Sequence, residues 1–336
     1  MSATYKVLDH KDLSGLLGLK QTFALDVLVG LSEPRKTISS KYFYDEEGSK
    51  LFQQIMHLPE YYLTRCEFEI LERSGPAIAD FVSNQKWNLV ELGPGDGLKT
   101  NLLLMQFLNK EVDFQYVPID ISESALQNLV NNLHNQIPRL EVRGLVSDYF
   151  NGLKWLNKLK ADDRKNFVLF LGSNIGTFNY SPARVFLRSL WSSLNHDDLV
   201  LIGFDLKKDI NLMLAAYNDS QGITAMFNLN LLNRINRELG GNFDVSRFQH
   251  FANYDVFSGA MESYLVSQAQ QKGFIEEIGQ IFSFLPWEPI HTEYSYKFLQ
   301  SDIEALAAET GYLVEKEFHD SRRFFSDCIW PVHKPG

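Results

Sequence analysis

Three glycines alternate with other residues just after an apolar run in the segment WNLVELGPGDGLKT, residues 87–100. A short apolar run that ends in an acid, Glu91, predicts a buried parallel strand. Gly93, Gly95 and Gly97 then allow a tight turn and a close approach of the backbone to a ligand, and the residues after them predict the start of a helix. The pattern indicates a nucleotide-like ligand at the carboxyl end of the strand.

The spacing of these glycines separates two classes of ligand. The dinucleotide fingerprint G-x-G-x-x-G would place its third glycine at position 98, where this chain has Leu98. A second strand-like run, 115–120, ends in Asp120, whose carboxylate is suited to accept hydrogen bonds from ribose hydroxyls. Acids at successive strand ends favour S-adenosylmethionine (SAM) methyltransferases over nicotinamide enzymes. They also disfavour the simpler interpretation that the glycines only turn the chain.

A third acid, Asp148, follows the next strand-like run and precedes Tyr149. At that place a carboxylate can accept a hydrogen bond from the adenine amino group, and an aromatic ring can pack on the face of the base. We therefore expect Asp148 and Tyr149 to contact the adenine of the cofactor.

The composition argues against several other classes of function. The 336 residues carry a formal net charge of −10 without a cluster of Lys and Arg, so a small molecule is expected as substrate rather than a nucleic acid. Cys66 and Cys328 are too few for a disulfide framework, and the histidines lack metal-ligand spacing, so no metal is expected. The chain shows neither an apolar run of membrane-spanning length nor a signal peptide. These features predict a cytoplasmic monomer without a membrane partner.

Strand and helix signals alternate between positions 88 and 206, which predicts an α/β fold with a doubly wound parallel sheet. The strand candidates are 89–92, 116–119, 141–146, 167–171 and 199–204. Before them, the residues up to about Leu31 are predicted to be helical and amphipathic, and an irregular aromatic segment follows.

The pattern changes after Asp205 to helices and then to strand-like stretches at 260–268 and 290–298, which predicts an inserted lobe. A helix near 301–310 precedes two further strand candidates, 312–318 and 324–332. The predicted division is an N-terminal cap and SAM-binding core over 1–206, a substrate-binding lobe over 207–297, and a segment over 298–336 that completes the sheet.

Several motifs together resemble the histidine-specific Nα-methyltransferase family, whose known members make the betaine hercynine on the way to ergothioneine. The motifs lie in order along nearly the whole chain, at 41–49, 58–65, 91–93, 116–122, 170–176, 215–219, 227–228, 236–239 and 292–298. The resemblance implies a Rossmann-like class I SAM-dependent methyltransferase with an inserted second substrate-binding lobe. Relatives in the same superfamily act on tryptophan derivatives.

The resemblance also implies roles for individual residues. Glu91, Gly93, Gly95, Lys99, Asp120, Asp148, Tyr149 and Gly172 are expected to bind the cofactor. Tyr61 and Tyr217 are expected to hold the carboxylate of an amino acid through their phenols. Tyr44, with Thr177 or Asn174 and the backbone of Gly172, is expected to orient the reacting amine.

Glu293 and Ser295 correspond to the family positions that read the imidazole. A strand's period of two places both on one face, with Tyr294 and Tyr296 on the other. A neutral imidazole has one donor and one acceptor, so a carboxylate and a hydroxyl form a matched pair for it. The alternative is a solvent-facing strand edge on which Glu293 pairs with Lys297.

Two departures from the family pattern leave the substrate open. Thr177 stands where the histidine enzymes have an asparagine that contacts the amino acid head group, and Ser263 stands where they have a methionine beside the side-chain pocket. The pocket is therefore expected to be wider or wetter. Histidine methylation is the first hypothesis. The alternatives are the same chemistry on another amino acid or amine, for example a tryptophan-like one, and a SAM-binding protein without catalysis.

Overall fold

The computed structural model describes residues 4–7, 18–156 and 163–334. The helices are α1 (Leu19–Ser32), α2 (Glu46–Met56), α3 (Tyr62–Val82), α4 (Leu98–Asn109), α5 (Glu123–Gln136), α6 (Tyr149–Leu156), α7 (Tyr180–Ser193), α8 (Ile210–Tyr217), α9 (Ile223–Leu239) and α10 (Gln300–Thr310). The first eight strands are β1 (Thr4–Val7), β2 (Lys86–Leu92), β3 (Asp113–Asp120), β4 (Arg143–Val146), β5 (Lys165–Phe170), β6 (Leu199–Asp205), β7 (Phe248–Asp255) and β8 (Ala260–Ser267). The last five are β9 (Gln271–Ile275), β10 (Gln280–Phe284), β11 (Pro289–Tyr296), β12 (Lys316–His319) and β13 (Phe325–Pro331).

The chain forms two compact units, each assembled from separate segments. The core unit contains residues 1–8, 63–207 and 296–336, and the second unit contains residues 9–62 and 208–295. Among the described residues, 18–62 group with the inserted segment and not with the core, whereas the division predicted from the sequence assigns them to the N-terminal part; that division stays a prediction.

The core unit is built on an eight-stranded sheet with the order β1-β4-β3-β2-β5-β6-β13-β12. The strands from β1 to β6 run parallel, whereas β13 pairs antiparallel with β6 and β12 antiparallel with β13. All seven residues of β6 and six of the seven in β2 are buried. Such continuous burial is typical of parallel strands that are covered on both faces. The predicted α/β fold with a closing antiparallel pair is confirmed.

Large aromatic side chains fill the core beside the central strands. Trp87 at the start of β2 lies 5.9 Å from Phe167 of β5, measured between ring centres, and Phe107 of α4 stacks on the same ring at 6.3 Å. All three side chains are buried. This packing fixes the end of α4 against the amino ends of β2 and β5, at the opposite end of these strands from the glycine turn.

The helix predicted over the N-terminal residues up to Leu31 is wrong at its start. Residues 4–7 form β1, which pairs in parallel with β4 from Thr4 opposite Arg143 to Val7 opposite Val146. Four residues are too few to show a period, so a distant pairing partner decides their conformation. The helix itself begins at Leu19, and the part of the prediction that covers 8–17 lies outside the described residues.

The second unit has a three-stranded sheet, β11-β8-β7, and a two-stranded ribbon, β10-β9. Helix α9 packs against α2, β7 and β8, and α8 packs against β7 and β8. The strand predicted at 290–298 ends earlier, at Tyr296. In the described part of the chain, no helix is both long enough and apolar enough to cross a membrane.

Candidate functional site

The glycine turn after β2 adopts backbone conformations that side chains disfavour. Gly93, Gly95 and Gly97 have φ values of 73°, 59° and 71°. A Cβ atom on Gly93 would lie 2.5 Å from the hydroxyl of Tyr149, whereas a Cβ on Gly95 would meet no atom within 4 Å. The turn therefore needs glycine at position 93 for packing and has open space over position 95, as a closely approaching ligand requires.

Asp120, at the end of β3, connects the next strand to this turn. Its Oδ1 accepts a hydrogen bond from the Ser122 amide at 2.9 Å, and its Oδ2 accepts one from the Gly95 amide at 3.4 Å. Burial raises the pKa of Asp120 to about 6. Since an ionised carboxylate has about four lone-pair positions, Asp120 can still accept hydrogen bonds from two ligand hydroxyls.

Glu91 lies beneath the turn and is buried. It accepts hydrogen bonds from the hydroxyl of Thr100, at 2.5 Å, and from the hydroxyl of Tyr116. Burial raises the pKa of Glu91 to about 7, although both hydrogen bonds lower it. Glu91 thus fixes the first turn of α4 against β3, and a direct contact with the cofactor stays a prediction.

Asp148 and Tyr149 lie where α6 begins. The carboxylate of Asp148 accepts hydrogen bonds from the amide of Asn151 at 3.0 Å and from its side-chain nitrogen at 2.5 Å. The ring of Tyr149 meets Phe170 edge-on at 5.3 Å, and burial raises the pKa of this phenol above its ordinary value. The structure therefore brings Tyr149 to Gly93 and uses Asp148 as the helix cap, while their contacts with adenine stay predictions.

A second turn, after β5, carries the residues expected near the amine. Gly172 has a φ of 75°, and Asn174 to Thr177 form one turn of 3₁₀ helix. The Thr177 hydroxyl donates to the carbonyl of Asn174 at 2.8 Å. The side-chain nitrogen of Asn174 would lie 3.1 Å from a Cβ on Gly93, so the two turns are neighbours.

Glu67 of α3 links these turns, and the sequence reasoning did not identify it. Its Oε1 accepts a hydrogen bond from the Gly172 amide at 2.7 Å, and its Oε2 forms an ion pair with Lys99. Burial alone would lower the pKa of Lys99, but the charge of Glu67 raises it. An acid inside a helical pattern usually faces solvent, so only the fold reveals this contact.

In the second unit, Tyr44 and Tyr61 belong to one aromatic cluster. Tyr44 meets Phe52 and Phe227 edge-on, with ring centres 5.5 and 5.8 Å apart. Tyr61 meets Phe52 at 6.1 Å and Tyr217 at 6.5 Å. Three of the tyrosines and phenylalanines named here come from before residue 62 and two from after 208, so the cluster forms only when both segments of this unit fold together.

Tyr217 and Ser295 are joined by a buried hydrogen bond of 2.6 Å between their hydroxyls. Along β11, Ile290, Thr292 and Ser295 are buried, whereas Glu293 and Tyr294 are half-buried. Both residues lie in the continuous strand β11, and their sharing of one pocket-lining face stays a prediction.

Ser263 lies in the central strand of the three-stranded sheet. The Thr292 hydroxyl lies 2.9 Å from the Ser263 carbonyl and 2.7 Å from Oδ1 of Asn228. The Ser263 hydroxyl itself is buried and has no hydrogen-bond partner. A buried hydroxyl without a partner is unfavourable, so this wall of the second unit is suited to a polar ligand or a bound water.

Over 4–7, 18–156 and 163–334, no group of three His, Cys, Asp or Glu side chains could hold a metal ion. The two units instead carry two separate sets of polar groups. The core unit presents two glycine turns, a strand-end carboxylate and a half-buried lysine. The second unit presents tyrosines, a half-buried carboxylate and buried hydroxyls.

Comparison with known proteins identifies related chains. Residues 23–332 match the model of a family described as histidine-specific methyltransferase, SAM-dependent. The chain is 35% identical to the histidine N-alpha-methyltransferase of Mycolicibacterium smegmatis, over 85% of this chain and 87% of that protein. The enzyme of the same name from Mycobacterium tuberculosis is also 35% identical, with the same coverage. Ergothioneine biosynthesis protein 1 of Schizosaccharomyces pombe is 32% identical over 91% of this chain and 41% of that protein.

Proposed function

The chain belongs to the family of SAM-dependent, histidine-specific methyltransferases, and on this premise we propose that it transfers methyl groups from SAM to the α-amino group of L-histidine, up to the trimethylated product hercynine. The match over residues 23–332 carries the proposal. The cofactor is SAM, and the turn at Gly95 fits it because the space above this residue is open and the Asp120 carboxylate lies beside it.

The core unit is proposed to bind SAM through Gly93, Gly95, Lys99, Asp120 and Gly172. When bound, SAM would supply a methyl group from its cationic sulfonium; an uncharged amine would bond to the methyl carbon as the carbon–sulfur bond breaks and S-adenosylhomocysteine leaves. Asp120 would accept hydrogen bonds from the ribose hydroxyls, and Tyr149 would pack on the adenine. Glu91 supports this arrangement from below through Thr100 and Tyr116.

The second unit is proposed to bind histidine. The phenols of Tyr61 and Tyr217 would hold the carboxylate, and Glu293 and Ser295 would hold the imidazole. The bond between Tyr217 and Ser295 supports this assignment, because it connects a proposed carboxylate contact to a proposed ring contact. Such a connection fixes the distance between the two ends of the substrate.

The proposed catalysis is positioning and not acid or base chemistry. Tyr44 would orient the amine, with the same role expected of Asn174, Thr177 and the backbone of Gly172. Aromatic faces also tolerate an ammonium group that grows with each methylation, through cation–π attraction of about 0.5–2 kcal/mol. This tolerance supports repeated transfer to the same nitrogen.

We also propose that the protein acts as a monomer in the cytoplasm. Both cysteines are free and buried, so the fold uses no disulfide and suits a reducing compartment. Sedimentation of the purified chain would test the monomer, and localisation of a tagged chain would test the compartment.

The deciding experiment is mass spectrometry of the purified protein with SAM and an equimolar mixture of the common amino acids. We expect histidine alone to gain one to three methyl groups, with fragmentation placing them on the α-nitrogen. Nα-acetylhistidine, which keeps the imidazole but lacks the free amine, serves as the control and should stay unmodified. Methylation of another amino acid would contradict the substrate assignment and point to Thr177 and Ser263. SAM binding without any product would contradict catalysis.

A further inference from the structure

One carboxylate holds two groups of the proposed cofactor site in place. Glu67 of α3 accepts the Gly172 amide on one oxygen, at 2.7 Å, and contacts the Lys99 ammonium with the other. Its side chain is fully buried, and that of Lys99 is 20% exposed. Charged hydrogen bonds in such surroundings are strong and orient both partners.

A second carboxylate, Asp327, lies beside Glu67 without a partner of its own. It stands on β13 directly opposite Gly203 of β6, is fully buried, and has no hydrogen bond to either side-chain oxygen. A Cβ on Gly203 would lie 2.4 Å from Glu67 Oε1 and 3.1 Å from Asp327 Oδ1. The absent side chain of Gly203 thus leaves room for both carboxyl groups over one point of the sheet.

The charges in this cluster do not balance if both acids are ionised. With Glu91 nearby, three carboxylates would then surround the one ammonium of Lys99, and an unpaired carboxylate as deeply buried as Asp327 is strongly unfavourable. Burial and then the charge of Glu67 raise the pKa of Asp327 well above its ordinary value, although Lys99 lowers it. A proton on Asp327 would reduce the excess negative charge and supply a donor where the structure lacks one.

We propose that Glu67 is a positioning residue of the SAM site, and that Asp327 stays protonated and donates its hydrogen to Oε1 of Glu67. Glu67 would then be ionised and hold three groups: the Gly172 amide, the Lys99 ammonium and the Asp327 hydroxyl. The inference rests on the proposed assignment of Lys99 and Gly172 to SAM binding. Neither Glu67 nor Asp327 touches the reacting atoms.

Isothermal titration of SAM into the folded protein tests the positioning role. Glu67→Gln should raise the Kd for SAM by about tenfold or more, because it removes the charge that holds Lys99. Glu67→Asp, which keeps the charge on a shorter side chain, should recover part of the loss. Glu72→Gln is the matched control on an exposed turn of the same helix and should leave the Kd unchanged. The KM for the methyl acceptor should change less than about twofold in all three.

The variant Asp327→Asn tests whether the Asp327 side chain is protonated or ionised. Its amide is neutral and can donate to Glu67, so it should keep the Kd for SAM within about twofold of the wild type. A loss as large as that of Glu67→Gln would overturn the protonated state. An unchanged Kd in folded Glu67→Gln would overturn the positioning role.

Infrared spectroscopy of the unliganded protein at neutral pH covers the case in which a variant fails to fold. The spectrum of the wild type minus that of Asp327→Asn should show the carbonyl stretch of a protonated buried carboxyl group, because Glu91, whose pKa is about 7, contributes equally to both spectra. A difference spectrum without this band contradicts the proposal. The SAM titrations and the infrared spectra need no histidine, so a chain that binds SAM but methylates another amine would refute the proposed substrate and leave these results standing.

Discussion

Glu293 is the one side chain of the proposed ring site that brings a negative charge. It is half-buried on β11, two residues before Ser295. Glu293→Ala should lower kcat/KM for histidine by about tenfold to a hundredfold, because the imidazole N–H loses an acceptor worth about 1–3 kcal/mol. The measurement is competition between histidine and other amino acids, with products separated by mass.

Glu277→Ala is the control for this variant, since Glu277 is an exposed acid of the same unit that pairs with Lys20. It should leave the discrimination between amino acids unchanged. If Glu293→Ala also leaves it unchanged, the assignment of Glu293 to the imidazole is wrong.

The pKa of Asp120 predicts how SAM affinity depends on pH. Burial raises it from 3.8 to about 6, so the carboxylate that would accept the ribose hydroxyls is ionised above this pH and protonated below it. The Kd for SAM should therefore rise below about pH 6, at most tenfold for each pH unit. Titration at several pH values should show this rise in the wild type and a flat dependence in Asp120→Asn. A wild type whose Kd does not change across this range would contradict the prediction.

Ionisation of Asp120 has the opposite effect on the stability of the fold. The native state holds the Asp120 proton more tightly than the unfolded chain, because the pKa in the fold is the higher one. The loss of this proton as the pH rises from about 4 to about 6 thus lowers the free energy of unfolding. SAM binding and fold stability make opposite demands on this carboxylate.

Helix α9 depends on one acid at its N-terminus. Asp219 accepts hydrogen bonds from the amides of Gln221, Ile223 and Thr224, at 3.1, 3.0 and 2.7 Å. Burial raises the pKa of Asp219, but these hydrogen bonds outweigh it and lower the pKa. The stabilisation is therefore present above the ordinary pKa of an aspartate and is lost as the pH falls through the lower value in the fold.

Asp219→Ala should cost about 0.5–2 kcal/mol and lower the Tm by several degrees, because two helix amides and one amide of the preceding turn lose their acceptor. Calorimetry at neutral pH measures this shift. Asp219→Asn is the matched control, since asparagine also caps helices, and its Tm should fall by less than half as much. Equal losses in the two variants would show that charge and not capping matters.

Elements of the core unit could be predicted where local pattern and tertiary environment agree. The strands at 86–92, 113–120 and 199–205 are apolar runs because both faces of the sheet are covered, and that signal needs no knowledge of partners. β1 gave no such signal, since its four residues become a strand through pairing with β4, more than a hundred positions away.

The residues proposed for binding also divide into those that lie in local motifs and those that depend on contacts between distant segments. The glycine turn and Asp120 lie in local motifs, so their positions followed from spacing. The bond between Tyr217 and Ser295 joins residues 78 positions apart, and Glu67 reaches Gly172 across 105 positions. Such contacts depend on how distant segments pack, which a single sequence does not encode as a pattern. The resemblance named Tyr217 and Ser295 but not the bond between them.

At the scale of the whole molecule, the two proposed binding roles belong to different compact units. Hydrogen exchange should separate them. S-adenosylhomocysteine should slow amide exchange in the core unit around the two glycine turns, 92–100 and 171–177, and after β3 at 118–124. Histidine should slow exchange in the second unit at 42–48, 58–62, 213–218 and 289–295.

Tryptophan at the same concentration is the control ligand and should give much weaker protection in the second unit. Protection by histidine confined to the core unit would contradict the proposed division of binding between the units. Protection by tryptophan equal to that by histidine would favour the alternative substrate.

The position of β13 has a consequence for synthesis of the protein. In the sheet β13 lies between β6 and β12, yet residues 206–324 separate it from β6 along the chain. A nascent chain on the ribosome therefore completes β6 long before its antiparallel neighbour exists. The hydrogen-bonding edge of this largely apolar strand stays unpaired while the intervening residues are translated. Such an edge can pair with other chains, so chaperones have a defined interval in which to protect it. This interval ends only when residues 325–331 leave the exit tunnel.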